Sequence, residues 1–156
     1  MEAISSFILA AIALTSSPGP GTLSLAAVGA AYGRQGGWRY MLGQITGILM
    51  VITIIASGIS GLLLTLPGVT PVITVIASVY FVFLSYRIAT APPLTENAHS
   101  QNAPKWVEGV ILSLLNPKAY AAMAALFSGF VLISGDLLLD NILKSAVILL
   151  IIFIAN

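Results

Sequence analysis

An uncharged run of 26 residues, 40–65, limits what this chain can fold into. As a helix the run rises about 39 Å at 1.5 Å per residue, enough to cross the roughly 30 Å hydrocarbon core of a bilayer with tilt. Hydrophobic residues make up 58% of the 156 residues and charged residues 7%, too apolar for a water-soluble domain. The chain is therefore predicted to be an all-α, polytopic transmembrane helical bundle.

Five apolar spans are predicted, separated by polar or charged segments. They cover residues 4–32, 40–65, 69–86, 106–133 and 142–155, with a loop over 33–39 between the first two. The last stretch of 14 residues rises only about 21 Å, too little for a comfortable crossing, so the chain is expected to be C-terminally truncated. Lys and Arg concentrate at Arg34, Arg39, Arg87 and Lys105, which predicts an N-terminus outside the cell.

Prolines interrupt the first and fourth spans in the runs Ser16-Ser17-Pro18-Gly19-Pro20-Gly21 and Ser113-Leu114-Leu115-Asn116-Pro117-Lys118. A proline cannot donate a backbone hydrogen bond and clashes with the carbonyl four residues earlier, which predicts free carbonyls at Ser16 and Ser113. Irregular backbone within a membrane is tolerated where it is buried in protein or lines a wet cavity. The two breaks are therefore predicted to form a substrate site.

The two breaks also suggest an internal repeat. Aligning Pro20 with Pro117 superposes Ser16 on Ser113, and both breaks lead into a helix of small residues. The breaks lie three crossings apart, so the equivalent helices run in opposite directions, the symmetry used for alternating access. This predicts one transmembrane domain over 1–156 of the 3+3 inverted-repeat type, with a first repeat over 1–91, a cytoplasmic connector over 92–105 and an incomplete second repeat over 106–156.

Among the individual residues, Lys118 is the strongest candidate for binding a substrate. It lies ten residues beyond Glu108, which places it about 15 Å below the start of its span, and every carboxylate is expected in a loop or at a span end. We hypothesise that Lys118 holds a substrate carboxylate. The alternative is a structural lysine bonded to backbone carbonyls or reaching toward one membrane face.

Other candidates complete a site for a zwitterion. Helix N-termini near both breaks suit an anion, whereas serine carbonyls suit an ammonium group or a sodium ion. The predicted substrate-binding residues are Ser16, Ser17, Pro18, Pro20, Thr22, Ser24, Gln44, Ser113, Asn116, Pro117 and Lys118. Each serine could instead bond within its own helix, and Gln44 could bond between helices.

Gly43 and Gly47 are predicted to permit close helix packing, and Glu108 to complement its helix dipole, with proton handling as the minor alternative.

Several function classes are disfavoured by the sequence. A net charge of +1 provides no basic field for nucleic acid. The chain contains no cysteine, and its single histidine, His99, falls in the polar connector, so no disulfide, metal site or cofactor is predicted. Neither an HExxH nor a Gly-x-Ser-x-Gly motif is present, so no catalytic residue is assigned and an enzyme is not expected.

A family resemblance joins these motifs. The elements are Ser17-Pro18-Gly19-Pro20-Gly21-Thr22, Gly33-Arg34-Gln35-Gly36-Gly37, Leu42-Gly43-Gln44-Ile45-Thr46-Gly47 and Leu115-Asn116-Pro117-Lys118-Ala119. In order and spacing they resemble the lysine-exporter (LysE/RhtB) translocator family. The resemblance implies a six-span exporter of amino acids or related metabolites in the bacterial inner membrane, of which the sixth span and part of the fifth are missing here.

The resemblance also implies the partners: a small-molecule amino-acid substrate, a coupling ion that would be a proton, and the lipid bilayer, with a homo-oligomer left open. The competing interpretation is a truncated, non-transporting membrane fragment or packing subunit. A third hypothesis is the export of metal cations. It is disfavoured because no buried carboxylate or histidine is expected.

Overall fold

The computed structural model describes residues 2–58, 69–90 and 104–155, and its regular elements there are all helices. They are α1 (Glu2–Ser16), α2 (Pro20–Ala56), α3 (Val69–Ala89), α4 (Trp106–Leu115), α5 (Pro117–Gly129) and α6 (Leu137–Ala155). No strand occurs within these ranges, so the predicted all-α class is confirmed. His99, most of the predicted connector and the end of the 40–65 run lie outside the described residues.

Helix α2 folds back on itself at Gly33, whose φ of 73° and ψ of −179° are non-helical. Only glycine adopts this conformation readily, because a Cβ atom would be strained there. Contacts across the turn, such as Gln44 to Gly21 and Tyr40 to Ser24, show that residues 20–32 and 34–56 are antiparallel arms. The loop predicted over 33–39 is wrong in extent, since the chain is helical again from Arg34.

Helices are interrupted at both proline motifs. Helix α1 ends at Ser16 and α2 begins at Pro20, while α4 ends at Leu115 and α5 begins at Pro117. Each proline occupies the start of the second helix, where a missing amide hydrogen removes no helical bond. Across Asn116 the axes of α4 and α5 bend by 66°. The straight rise used to place Lys118 in the membrane therefore does not apply to this pair.

Two of the described helices, α2 and α6, are long and apolar enough to cross a membrane, and α4 with α5 makes a third if the bent pair is one span. The predicted start of the fifth span is wrong. Helix α6 begins at Leu137 rather than 142, and its 19 residues rise about 28 Å. Two charged residues, Asp140 and Lys144, fall inside this apolar helix because they pair with each other.

The Asp140–Lys144 pair is buried between α5 and α6. A carboxylate oxygen of Asp140 lies 2.6 Å from Lys144 Nζ, and both side chains are almost inaccessible to solvent. The other Asp140 oxygen accepts the backbone N–H groups of Leu132 and Ile133, and Lys144 also donates to the carbonyl of Phe127. Asp140 lies in the first turn of α6, so it is at a helix end as expected, but the expectation that no carboxylate is buried is wrong.

Apolar side chains cover the outside of the bundle, while polar ones inside are hydrogen-bonded. Leu9, Val79, Leu137 and Ile154 each expose more than 60% of their surface. Among the described residues, no buried side-chain nitrogen or oxygen lacks a hydrogen-bond partner. This distribution suits a lipid environment, where exposed apolar groups are favourable and unpaired polar groups are costly.

Helix α4 packs against the second arm of α2 through glycines. A Cβ atom added to Gly43 would lie 2.0 Å from the carbonyl oxygen of Trp106, and one on Gly47 would lie 2.6 Å from Cβ of Ser113. Gly109 makes the reciprocal approach, with Tyr40 O at 2.3 Å. The prediction that Gly43 and Gly47 serve close helix packing is confirmed, and this packing carries Ser113 and the α4–α5 break to the site.

Candidate functional site

The two helix breaks face each other across a cavity of about 70 Å³. One side comes from the α1–α2 break and the other from the α4–α5 break. Its polar lining comprises Thr15, Thr22, Gln44, Ser113, Asn116 and Lys118, and its apolar wall includes Leu14, Ile48, Met123 and Ile152. Residues nearly one hundred positions apart thus line one space, as the pairing of the two proline motifs predicted.

Lys118 reaches from α5 to the opposite break. Its Nζ donates to the carbonyl and hydroxyl oxygens of Ser17, the latter at 2.7 Å, and lies 3.5 Å from the carbonyl of Pro18. Ser17 and Pro18 lie between two helices, so their carbonyls are available to a partner outside the helical ladder, whereas the Gly19 carbonyl accepts the backbone N–H of Leu23 in α2. Lys118 therefore donates to backbone carbonyls, as the structural interpretation of this residue predicts. These carbonyls belong to the α1–α2 break and not to the break that precedes Lys118.

Gly19 makes this approach possible. A Cβ atom at this position would lie 2.8 Å from Cδ and 3.0 Å from Nζ of Lys118. A larger residue would push against the lysine side chain. Gly19 also closes the first turn of α2, where its N–H donates to the hydroxyl of Thr22 at 3.0 Å. The glycine between the two prolines therefore serves both the helix start and the lysine contact.

Asn116 caps the helix that carries Lys118. Its side-chain oxygen accepts the backbone N–H of Lys118 at 3.1 Å, which satisfies one of the open donors at the start of α5. The side chain is buried, with 8% exposed, and its nitrogen lies 3.9 Å from a Cβ position built on Gly21. Asn116 thus orients α5 and presents an amide group toward the first break.

A buried polar network supports the α2 side of the cavity. Gln44 donates to the carbonyl of Gly21 at 3.0 Å and to the hydroxyl of Ser24 at 3.2 Å, and Tyr40 donates to the same hydroxyl at 3.3 Å. Ser113 joins this network from α4 by donating to the backbone carbonyl of Gln44 at 3.0 Å. Gln44 thus bonds between helical segments while also lining the cavity.

Some predicted site residues lie elsewhere. Ser16 and Pro18 line a neighbouring groove with Arg34 and Trp38, although the Pro18 carbonyl still faces Lys118, and Ser24 supports Gln44 behind the cavity wall. The prediction of a free Ser113 carbonyl is wrong, because that carbonyl accepts the N–H of Asn116 at 3.3 Å. Pro20 and Pro117 begin their helices, and Pro117 is exposed.

Sequence reasoning missed two kinds of residue near the cavity. Tyr40 was assigned only as the start of a span, yet its side chain is fully buried against Ser24. The apolar wall residues Met123 and Ile152 were also missed, because hydropathy does not distinguish a cavity wall from a lipid-facing surface. The one signal in the sequence for a buried Tyr40 was its hydroxyl group at the start of an apolar run.

Comparison with known proteins agrees with the motifs at both breaks. The model of the LysE type translocator family matches residues 12–155, a range that includes the whole cavity. The chain belongs to the LysE type translocator family. No solved structure is similar enough to match it.

Two curated relatives of this LysE type translocator come from Salmonella choleraesuis and Salmonella typhimurium, and each is named a cysteine/O-acetylserine efflux protein. Each is 27% identical over 90 residues, or 58% of this chain. The match covers 46% of each relative, so the chain aligns with about half the length of those proteins. Family membership, together with the apolar helices, makes this a membrane-embedded protein of a transport family rather than of an enzyme family.

Proposed function

We propose that this chain exports amino acids or related small zwitterionic metabolites across the bacterial inner membrane. The observation that carries the proposal is the meeting of two interrupted helices at one cavity, with a lysine from one break bonded to backbone oxygens of the other. The names of the Salmonella relatives point to cysteine and O-acetylserine as the first substrates to test.

The cavity and the adjoining α1–α2 break offer a partner for each charge of such a substrate. Lys118 supplies a cation for a carboxylate, with the buried amide of Asn116 beside it. The carbonyls of Ser17 and Pro18 supply oxygens for an ammonium group. Leu14, Ile48, Met123 and Ile152 form an apolar wall beside these groups, which suits the aliphatic part of a small substrate.

We further propose that the two breaks belong to inverted repeats over 1–91 and 106–156, joined by a cytoplasmic connector over 92–105, with the N-terminus outside. The matching placement of Pro20 and Pro117 at helix starts supports this symmetry. Transport would then proceed by alternating access around the cavity, coupled to an ion that the family resemblance suggests is a proton. A homo-oligomer is compatible with this scheme.

A second candidate follows from the length comparison. Because the match covers about half of each curated relative, the chain could act as a non-transporting fragment or a packing subunit of a larger assembly. Such a fragment would keep the helix packing of α2 and α4 without moving substrate. The two candidates differ in one measurable property, which is net transport by the isolated chain.

Uptake of radiolabelled L-cysteine into inside-out membrane vesicles tests the proposal. The wild-type chain should accumulate cysteine above vesicles that lack it, and Lys118→Met should lower the initial rate at least tenfold at equal protein level. Lys105→Met is the matched control, because Lys105 is exposed at the start of α4 and lies outside the cavity. Wild-type uptake equal to background would favour the fragment, and full activity of Lys118→Met would contradict the role of the lysine.

A further inference from the structure

Three oxygens at the α1–α2 break form a site for a primary ammonium group. They are the carbonyl and hydroxyl oxygens of Ser17 and the carbonyl oxygen of Pro18, and all three face Lys118 Nζ. A primary ammonium has three N–H donors and no acceptor, so three neutral oxygens match it. Among the described residues no carboxylate is paired with Lys118, and the oxygens that contact its Nζ are neutral dipoles.

The group that fills this site has the chemistry of the proposed substrate. Lys118 Nζ and the amino group of an amino acid are both primary ammonium ions on a carbon chain. Gly19 leaves space beside the Cδ and Nζ atoms of Lys118, where a Cβ atom would require the lysine side chain to shift. The backbone at the break is thus shaped to receive an alkylammonium, and its present occupant belongs to the protein itself.

We propose that Lys118 is an internal substitute for the substrate's ammonium group. This inference rests on the proposed function and adds an exchange step to it. The ammonium of an incoming zwitterion takes the oxygens of Ser17 and Pro18, and its carboxylate takes the released Lys118. No covalent bond changes, and the zwitterion adds no net charge to the cavity.

The exchange explains why both charges of the substrate are required. An amine without a carboxylate would displace Lys118 and leave two cations close together with no anion between them, which is costly in a medium of low dielectric. A carboxylate without an ammonium would draw Lys118 away and leave the Ser17 and Pro18 oxygens unpaired. Only a zwitterion satisfies both sets of partners at once.

The exchange also links binding to the two helix breaks. In the structure, the Lys118 hydrogen bonds connect the start of α5 directly to the α1–α2 break. After exchange the substrate itself would connect them, through its carboxylate to Lys118 and its ammonium to Ser17. The direct hydrogen bonds of Lys118 would then no longer fix the distance between α5 and the α1–α2 break. This distance could change while the substrate is bound.

Equilibrium binding of L-cysteine and cysteamine to the purified, full chain tests the inference. Cysteamine is cysteine without its carboxylate. The wild-type protein should bind cysteine and bind cysteamine at least tenfold more weakly. Removing the internal competitor in Lys118→Met should reverse the preference: cysteine binding falls at least tenfold, and cysteamine binding rises at least tenfold above the wild-type level. Lys105→Met should behave as wild type.

A second substitution locates the uncovered site. Adding Ser17→Ala to Lys118→Met removes one of the three oxygens and should reduce the gained cysteamine binding severalfold. Lys118→Gln, which is also neutral, should show the same gain as Lys118→Met and serves if the latter is not recovered as a monodisperse protein. Failure of both neutral variants to fold would mean that the Lys118 bonds are structural and not exchangeable, which overturns the inference.

The outcomes separate the inference from the proposed function. If Lys118→Met loses cysteine and gains no cysteamine, the exchange is overturned while transport of zwitterions stands. If the wild-type chain moves no cysteine in vesicles, the proposed function fails, yet a gain of cysteamine binding in Lys118→Met would still demonstrate the ammonium site that the lysine normally fills.

Discussion

At the residue scale, Lys118 shows how backbone and hydroxyl oxygens can hold a charge among apolar helices. The sequence predicted a cation far from any acid and left open whether it served substrate or structure. The structure gives it oxygens of Ser17 and Pro18, which belong to the other break. Under the proposed exchange the two interpretations describe one residue before and after substrate binds.

The buried Asp140–Lys144 pair gives a prediction at the same scale. Removing one partner leaves the other charged and buried, which typically costs about 3–5 kcal/mol. We expect Asp140→Asn and Lys144→Met each to lower the thermal unfolding temperature of the purified protein clearly. The double variant should be more stable than either single variant, because no unpaired charge remains.

Glu2→Gln is the control for this double-mutant cycle, since Glu2 is exposed at the start of α1. Its unfolding temperature should match that of the wild type. A loss of stability in the double variant equal to the sum of the two single-variant losses would show that the pair contributes no coupling energy, contrary to this prediction.

At the scale of elements, the contact between α2 and α4 depends on missing side chains. A methyl group on Gly43 would press on the Trp106 carbonyl, a backbone atom that can retreat only if the whole of α4 moves. We expect Gly43→Ala to destabilise the protein by about 1–3 kcal/mol, as overpacking does, and to reduce transport by displacing Ser113. Thermal unfolding and vesicle uptake measure the two effects.

Gly29 provides the matched control, because a Cβ atom there would meet nothing within 4 Å. Gly29→Ala lies within the first arm of α2 and should stabilise the helix by about 0.5–1 kcal/mol through the lost flexibility of glycine. Similar changes in both variants would mean that helix propensity, and not contact with α4, governs Gly43.

At the scale of the whole molecule, the proposed topology can be read from single cysteines, because the chain contains none of its own. Glu2→Cys and Gln35→Cys place one thiol at the exposed start of α1 and one beside the turn of α2. A membrane-impermeant maleimide added to intact cells should label Cys at position 2 and leave position 35 unmodified. Inside-out vesicles should give the opposite pattern. Labelling of position 35 in intact cells would reverse the proposed orientation.

The sequence by itself determined the class, the family and the positions of the helix breaks. Each of these follows from residues that are close in sequence. Long apolar runs are stable in a lipid bilayer, and a preceding helix cannot continue through the prolines at 20 and 117. The same local logic misjudged the start of α6, because a charged pair four residues apart neutralises itself inside a helix, which hydropathy alone does not register.

Only the tertiary structure decided which groups meet. Lys118 and Ser17 are separated by 101 positions, and their contact depends on glycines at 43, 47 and 109 that bring α4 against α2 and on a glycine at 19 that admits the lysine. Whether the carbonyl of Ser16, Ser17 or Ser113 is free depends equally on the bend at each break. Such distances arise from the packing of whole helices, and a pattern of residue types along one chain does not contain them.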